Sequence, residues 1–234
     1  MRTGDVLWRL SSGQRSVTAL AFEGSHIQLL ASASSVGEVL FWDVGHARVS
    51  VPVAALAAHA HSISCVAFSP CSSLFLTASV DKTLRVWSLV GKPGDRHNTA
   101  ANSLVRDGEL AKGHDGDEEE QCRGLRIRAL HRLVGHDEPV TSAAFVPYGV
   151  GGHTTVNKVA GIAGAQLLAS CSTDASVRLW NLATGEALQT LLRPLGRPVS
   201  LAAVAWPPDA RHVAAGGADG SIRIWSLADI DART

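Results

Sequence analysis

Three aspartates each stand six residues ahead of a tryptophan: Asp81 and Trp87 in "SVDKTLRVW", Asp174 and Trp180 in "STDASVRLW", Asp219 and Trp225 in "GADGSIRIW". An acid, a tight turn and an indole repeated at one spacing call for one explanation, and several chemistries can be weighed against it. "DGDEEE" (Asp115 to Glu120) begins like a calcium loop. Glu120 stands where such a loop needs glycine, however, and Arg126 where it needs glutamate, so a solvated acidic loop is the better reading. "GVGGHTTVNK" lacks the full glycine spacing of a dinucleotide loop. The chain contains no G-K-[ST], G-x-S-x-G or H-E-x-x-H pattern. His59 and His61 lie two apart with no third or fourth metal ligand in evidence. Neither a metal nor an organic cofactor is expected. Arg85, Arg178 and Arg223 form either a basic stripe or a set of aliphatic stems covering sheet edges, and the second reading is preferred. The arginines from Arg123 to Arg132 offer a contact for RNA or phosphate, but the acids from Asp115 to Glu120 compensate their charge more simply.

The elements that position these residues follow from pattern and composition. The 234 residues are 46% hydrophobic, enough for a sizeable core, and 21 basic residues balance 21 acidic ones. Such neutrality makes no global electrostatic case for nucleic acid or a membrane. The opening "MRTGDVLWRLSSGQRS" has no apolar stretch suited to a signal peptide, and "VAGIAGAQLLASCS" is too short and glycine-rich to span a bilayer. The four cysteines, Cys65, Cys71, Cys122 and Cys171, form no C-x-x-C pair, and Cys65 and Cys171 fall inside apolar runs. Free thiols there behave as small hydrophobes, which favours a reducing compartment, cytoplasmic or nuclear.

Four segments end in the tryptophans: "VTALAFEGSHIQLLASASSVGEVLFW", "ISCVAFSPCSSLFLTASVDKTLRVW", "VTSAAFVP…AQLLASCSTDASVRLW" and "VSLAAVAWPPDARHVAAGGADGSIRIW". Each reads as three short apolar runs, strands a, b and c, with "DK", "DA" and "DG" at three b–c turns. In strand c, Leu84 with Val86, Val177 with Leu179 and Ile222 with Ile224 take one face. Arg85 with Trp87, Arg178 with Trp180 and Arg223 with Trp225 take the other. Large residues on both faces suit a small sheet held between neighbouring sheets. A fourth strand, d, fits "HARVSVPVAALAAH", "RALHRLVGH" and "TGEALQTLL", and the opening "TGDVLWRL" (Thr3 to Leu10) matches the last of these. The approximate repeats are 3–43, 47–89, 126–182 and 186–227, each in the order d-a-b-c. Periods of about 45 residues with four strands each indicate propeller blades.

With "FWD" at Phe41 to Asp43, "GH" at Gly135-His136, "AFSP" at Ala67 to Pro70 and the Asp–Trp spacing in phase with the strands, the chain resembles the WD40-repeat family. The resemblance covers nearly all of it outside two insertions. It implies an all-β propeller of four four-stranded blades. It also implies a hydrogen-bonded chain in each blade, from a turn Asp through a His before strand a and a Ser or Thr of strand b to the strand-c Trp. By position, His59, Thr77, Asp81 and Trp87 make one such set, and His136, Ser170, Asp174 and Trp180 a second. The first blade keeps Ser32 and Trp42 but has Val36 at the Asp position and no matching His. The last keeps Asp219 and Trp225 but has Ala215, with Arg197 near the His slot. A catalytic-triad reading of the His, Ser and Asp content is set aside, because the same groups recur in successive blades.

Family rings usually close with about seven blades, so four favour a partial propeller or part of a larger ring, with "MRTG" resembling the tail of a preceding blade end; the competing reading is a four-blade ring in which Thr3 to Leu10 pairs with strand c at Ser221 to Leu227. The charged insertion 91–125 is expected to be disordered. The Gly-rich insertion 146–165 lengthens an a–b loop, and both insertions leave the same end of the sheets. The resemblance implies a non-enzymatic scaffold that holds protein partners within a multiprotein complex. The alternatives are a subunit of a nuclear or nucleolar ribonucleoprotein assembly, as in ribosome biogenesis, and a substrate receptor of a ubiquitin ligase. The blade ends "WDVG", "WSLV", "WNLA" and "WSLA" lack the Trp-Asp-x-Arg phrase of the last role. Partner contact is expected on the end bearing the b–c and d–a loops, at His61, Lys82, Glu138 and Arg197, with the two insertions on the opposite end as the alternative, and self-association is a further route to completing the ring.

Overall fold

The computed structural model describes residues 6, 9–13, 15–24, 29–45, 51–90, 125–147, 167–192, 198–208 and 210–227. Most of the candidate d strand Thr3 to Leu10, most of both insertions, and Arg197 lie outside these residues.

The described chain is all β. In the first sheet β1 (Val17–Phe22), β2 (Leu29–Ser34), β3 (Glu38–Asp43) and β4 (Ala54–Ala57) pair in chain order. The second holds β5 (Ile63–Phe68), β6 (Leu74–Ser79), β7 (Thr83–Val90) and β8 (Arg126–Val134), and the third β9 (Val140–Phe145), β10 (Leu167–Ser172), β11 (Val177–Asn181) and β12 (Glu186–Leu191). The fourth has three described strands, β13 (Leu201–Ala205), β14 (His212–Gly217) and β15 (Ile222–Ser226). Every pairing is antiparallel. Each d strand bonds to the c strand before it, so a sheet is a-b-c-d and sits one strand out of phase with the d-a-b-c repeat. This offset makes successive repeats share a sheet. The charged insertion ends one residue earlier than the sequence indicates: Leu125 is buried in the core between the first two sheets, beside Leu89.

The inner strands stand side by side, β1 beside β5, β5 beside β9 and β9 beside β13. Between each pair of sheets lies one hydrophobic core, assembled from the period-2 pattern. Ala31, Val39 and Phe41 of the first sheet meet Ile63, Val66 and Phe75 of the second. Leu76, Leu84 and Val86 of the second meet Val140, Leu168 and Trp180 of the third. Ala169, Val177 and Leu179 of the third meet Leu201, Val204 and Val213 of the fourth. Each fully buried Leu, Val or Phe contributes roughly 1.5–3 kcal/mol, so these cores are the main stabilising element.

Hydroxyls add direction to the packing. Ser64 lies within hydrogen-bond reach of the Ala78 carbonyl in its own sheet and of the Val140 carbonyl in the next. Thr141 repeats the arrangement with Cys171 at 3.1 Å and Leu201 at 2.7 Å. The Trp206 indole donates back across the third seam to Ala144 O at 3.0 Å. Among the described residues no helix is long and apolar enough to cross a membrane.

Candidate functional site

The residues with the richest chemistry gather at one end of the sheets, where b–c turns meet the loops leading into the a strands. Each b–c turn closes with a residue in the left-handed region, Gly37, Lys82, Ala175 or Gly220. In the second to fourth sheets the turn aspartate then accepts from the residue two further on. Asp81 takes the Thr83 amide at 3.0 Å and its hydroxyl at 2.6 Å, and Asp174 takes the Ser176 amide at 2.8 Å and hydroxyl at 2.6 Å. Asp219 has the same pair of bonds from Ser221 at 3.0 and 2.6 Å.

The other carboxylate oxygen reaches the histidine. His59 Nδ1 is 2.9 Å from Asp81 Oδ2, and His136 Nδ1 is 2.8 Å from Asp174 Oδ2. A carboxylate can only accept, so the proton sits on Nδ1 and Nε2 is left as acceptor. Nε2 meets Thr77 Oγ1 at 2.7 Å in one set and Ser170 Oγ at 2.8 Å in the other. The same hydroxyl oxygens accept from the indoles of Trp87 at 3.1 Å and Trp180 at 2.8 Å. All eight residues of the two sets are thus brought together as two chains, Trp to hydroxyl to imidazole to carboxylate. The first sheet retains the Trp42-to-Ser32 bond at 2.8 Å. At its turn Gly37 O accepts the amides of Ala58 and His59 at 2.9 Å each, which holds the loop leading out of the first sheet into the second.

Thr83 and Ser176 were not among the residues singled out from sequence. The signal was present as Asp-x-Thr and Asp-x-Ser in "DKT", "DAS" and "DGS", a spacing that lets a side chain cap its own turn. The arginines are a correction. Arg85, Arg178 and Arg223 cover no outer edge. Their side chains run into the seams between sheets, with Arg85 Nε and Arg178 Nε buried and without a hydrogen-bond acceptor, and the Arg85 guanidinium 6.0 Å from the Trp87 ring.

These surroundings set the charge states. Burial lowers the His59 and His136 pKa below 6.5, the aspartates pulling the other way, with Arg85 and Arg178 adding to the depression. Burial works to raise the Asp81 and Asp174 carboxyls. The hydroxyl bonds from Thr83 and Ser176 and the histidine bonds together outweigh it and hold both below 3.8. Each set is therefore a neutral imidazole on a carboxylate.

The sign of the pH dependence follows. On acidification the unfolded chain takes up histidine protons first, near 6.5, and the folded chain resists; below 3.8 the same holds for the aspartates. Stability is full above about pH 7 and falls continuously toward pH 4. Urea midpoints measured at intervals from pH 8 to pH 4 check this; a midpoint that rises on acidification contradicts the assignment.

A nucleophile must reach its substrate, and Thr77 and Ser170 are fully buried with their oxygens occupied on both sides. Among the described residues no group of three or more His, Cys, Asp or Glu is placed to hold a metal ion. What lies in the open is the rim of the loops. Lys82 and Glu138 are exposed and come together, Lys82 Nζ 3.6 Å from Glu138 Oε1 and also bonded to the Asp137 carbonyl. His61 is exposed on the neighbouring loop.

Stacked four-stranded sheets pinned by repeated His–hydroxyl–carboxylate–indole chains define a β-propeller of WD type. A family profile described as "WD domain, G-beta repeat" matches residues 50–88, 148–181 and 190–226. The chain belongs to the WD40-repeat family. It is 30% identical over 147 residues to the nuclear distribution protein PAC1 of Arthroderma benhamiae, covering 58% of this chain and 30% of that protein. It is 25% identical over 224 residues to apoptotic protease-activating factor 1 of Danio rerio, covering 80% of this chain and 17% of that one. The chain thus spans about a third or less of the length of these curated relatives. Among solved structures it is similar in fold to the computationally designed Ika4 protein, with TM-score 0.59, 17% identity, and coverage of 96% of this chain and 99% of that one. It is likewise similar to U3-55K, with TM-score 0.60, 19% identity, and coverage of 94% and 51%.

Proposed function

We propose that the chain is a non-enzymatic scaffold that holds protein partners on the end of the sheets carrying the b–c turns and d–a loops. One observation carries the reading. The groups able to do chemistry there are consumed internally, which makes the loops stiff, while Lys82, Glu138 and His61 stand exposed on them. Stiff loops with exposed charge suit recognition, because little entropy is lost on binding. Cys65 and Cys171, free thiols within strands, fit a reducing compartment, cytoplasmic or nuclear.

The test is charge reversal. Lys82→Glu alone and Glu138→Lys alone break their mutual pair and place like charges side by side, at a stability cost within about 1 kcal/mol. Affinity purification with mass spectrometry is expected to show loss of one or more partners from each variant. An unchanged partner set from both places recognition elsewhere on the molecule. A second reading, membership of a ribonucleoprotein assembly, is favoured by Arg126, Arg128 and Arg132, all exposed on the outermost strand β8. Under that reading the recovered partners are RNA-bound, and nuclease treatment releases them.

A further inference from the structure

The three seams between sheets repeat one set of positions, and the same positions on β15 and β1 at the two ends are exposed, although Trp42 behind β1 is buried. On the forward side, the alternating pair of strand c is buried in the first three sheets: Val39 and Phe41, Leu84 and Val86, Val177 and Leu179 are all 0–2% exposed. The same pair in β15, Ile222 and Ile224, is 78% and 67% exposed. On the receiving side, the first and fourth residues of the inner strand are buried at 0–8% in Ile63 and Val66, Val140 and Ala143, Leu201 and Val204. In β1 those positions, Val17 and Leu20, are 48% and 61% exposed, and Phe22 beyond them is 68% exposed.

We propose that a second copy of this chain covers both faces. The β15 side of each copy receives β1 of the other, and two arcs of four sheets join into a closed ring of eight. The occupant follows from the shape of the seam. At each of the three described seams a forward face is met by a receiving face. The bare receiving face the chain owns is its own β1, and within one copy Val17, Leu20 and Phe22 remain uncovered. A two-fold axis through the ring centre uses the same seam twice and leaves neither face open. The closing seam lacks one atom group that two of the three internal seams have. Ser64 and Thr141 send a hydroxyl to the next sheet's first carbonyl, at Val140 and Leu201. The equivalent residue of β13 is Ala202, which has none to send. The joint between copies therefore lacks a bond that the second and third seams have, and is reversible.

The experiment is light scattering with size exclusion on the full chain, from low micromolar to several hundred micromolar. The expected result is a concentration-dependent mass reaching two copies. Leu20→Asp and Ile222→Asp each change a residue that is already exposed, so each variant is expected to keep the native circular dichroism and thermal midpoint and to run as a monomer. Mixed together, they pair once, through the intact β15 of the first and the intact β1 of the second, which a misfolded variant cannot do. Ala202→Thr restores the missing hydroxyl and lowers the dissociation constant by roughly fivefold or more. A wild-type chain that stays monomeric at every concentration overturns the proposal. So does a mass that grows past two copies, or a mixture of the aspartate variants that stays monomeric.

Discussion

Gly37→Ala is expected to destabilise the protein by about 3–5 kcal/mol, the largest effect of any single methyl group in the described chain. Two causes act together. Gly37 has φ 86°, in the left-handed region that side chains rarely adopt, and a Cβ there would lie 1.9 Å from His59 O, 2.7 Å from His59 C and 2.9 Å from His61 O. All three are backbone atoms, so no side chain can swing aside. The loop they belong to leads into β5 and is held by the two amides that bond to Gly37 O. Relieving the clash therefore pulls His59 away from Asp81 as well. Urea denaturation reads the loss as a lower midpoint at unchanged slope. A loss under about 1 kcal/mol means the seam between the first two sheets is far softer than this packing implies.

Asp174→Ala is expected to cost roughly 1–3 kcal/mol, and Asp219→Ala within about 0.5 kcal/mol. The two aspartates occupy equivalent turns and differ in what they hold. Asp174 accepts from His136 Nδ1, the Asp137 amide, and the amide and hydroxyl of Ser176. Its removal leaves the buried Nδ1–H of His136 without its acceptor. Asp219 is exposed and accepts only local bonds from Ser221, with Arg223 Nη2 at 3.9 Å. Because His136 and Asp174 work as one unit, His136→Ala combined with Asp174→Ala should cost less than the sum of the singles. Thermal denaturation of the four proteins settles it. Equal losses at Asp174 and Asp219 would mean the histidine chain adds nothing to the turn.

The alternation in "TLRVW", "SVRLW" and "SIRIW" was enough to assign strand c and its two faces, because the pleat leaves a side chain no other choice once the strand forms. The Asp–Trp spacing located the hairpin turn for the same local reason. The resemblance then assigned His59 and His136 to Asp81 and Asp174, although they lie 22 and 38 residues apart. No periodicity within one chain segment could have paired them. The capping hydroxyls of Thr83 and Ser176 were legible in principle, since an Asp-x-Ser/Thr contact spans one turn and depends on nothing distant.

What could be read along the chain is therefore local: strands, turns, and the residue types each hairpin offers. Packing of sheet on sheet set how these local units share their surroundings. It put each d strand on the sheet before it, because the outer edge of strand c is where unpaired backbone groups remain to be satisfied. It sent Arg85 and Arg178 into the seams, because the c-strand face they share with Trp87 and Trp180 is covered by a neighbouring sheet, as large residues on both faces of the strand already suggested. And it left Ile222 and Leu20 bare at positions whose counterparts are buried. Their hydrophobicity is plain in the sequence, but burial belongs to a pair of surfaces, and only the assembled sheets reveal which surface has met its partner.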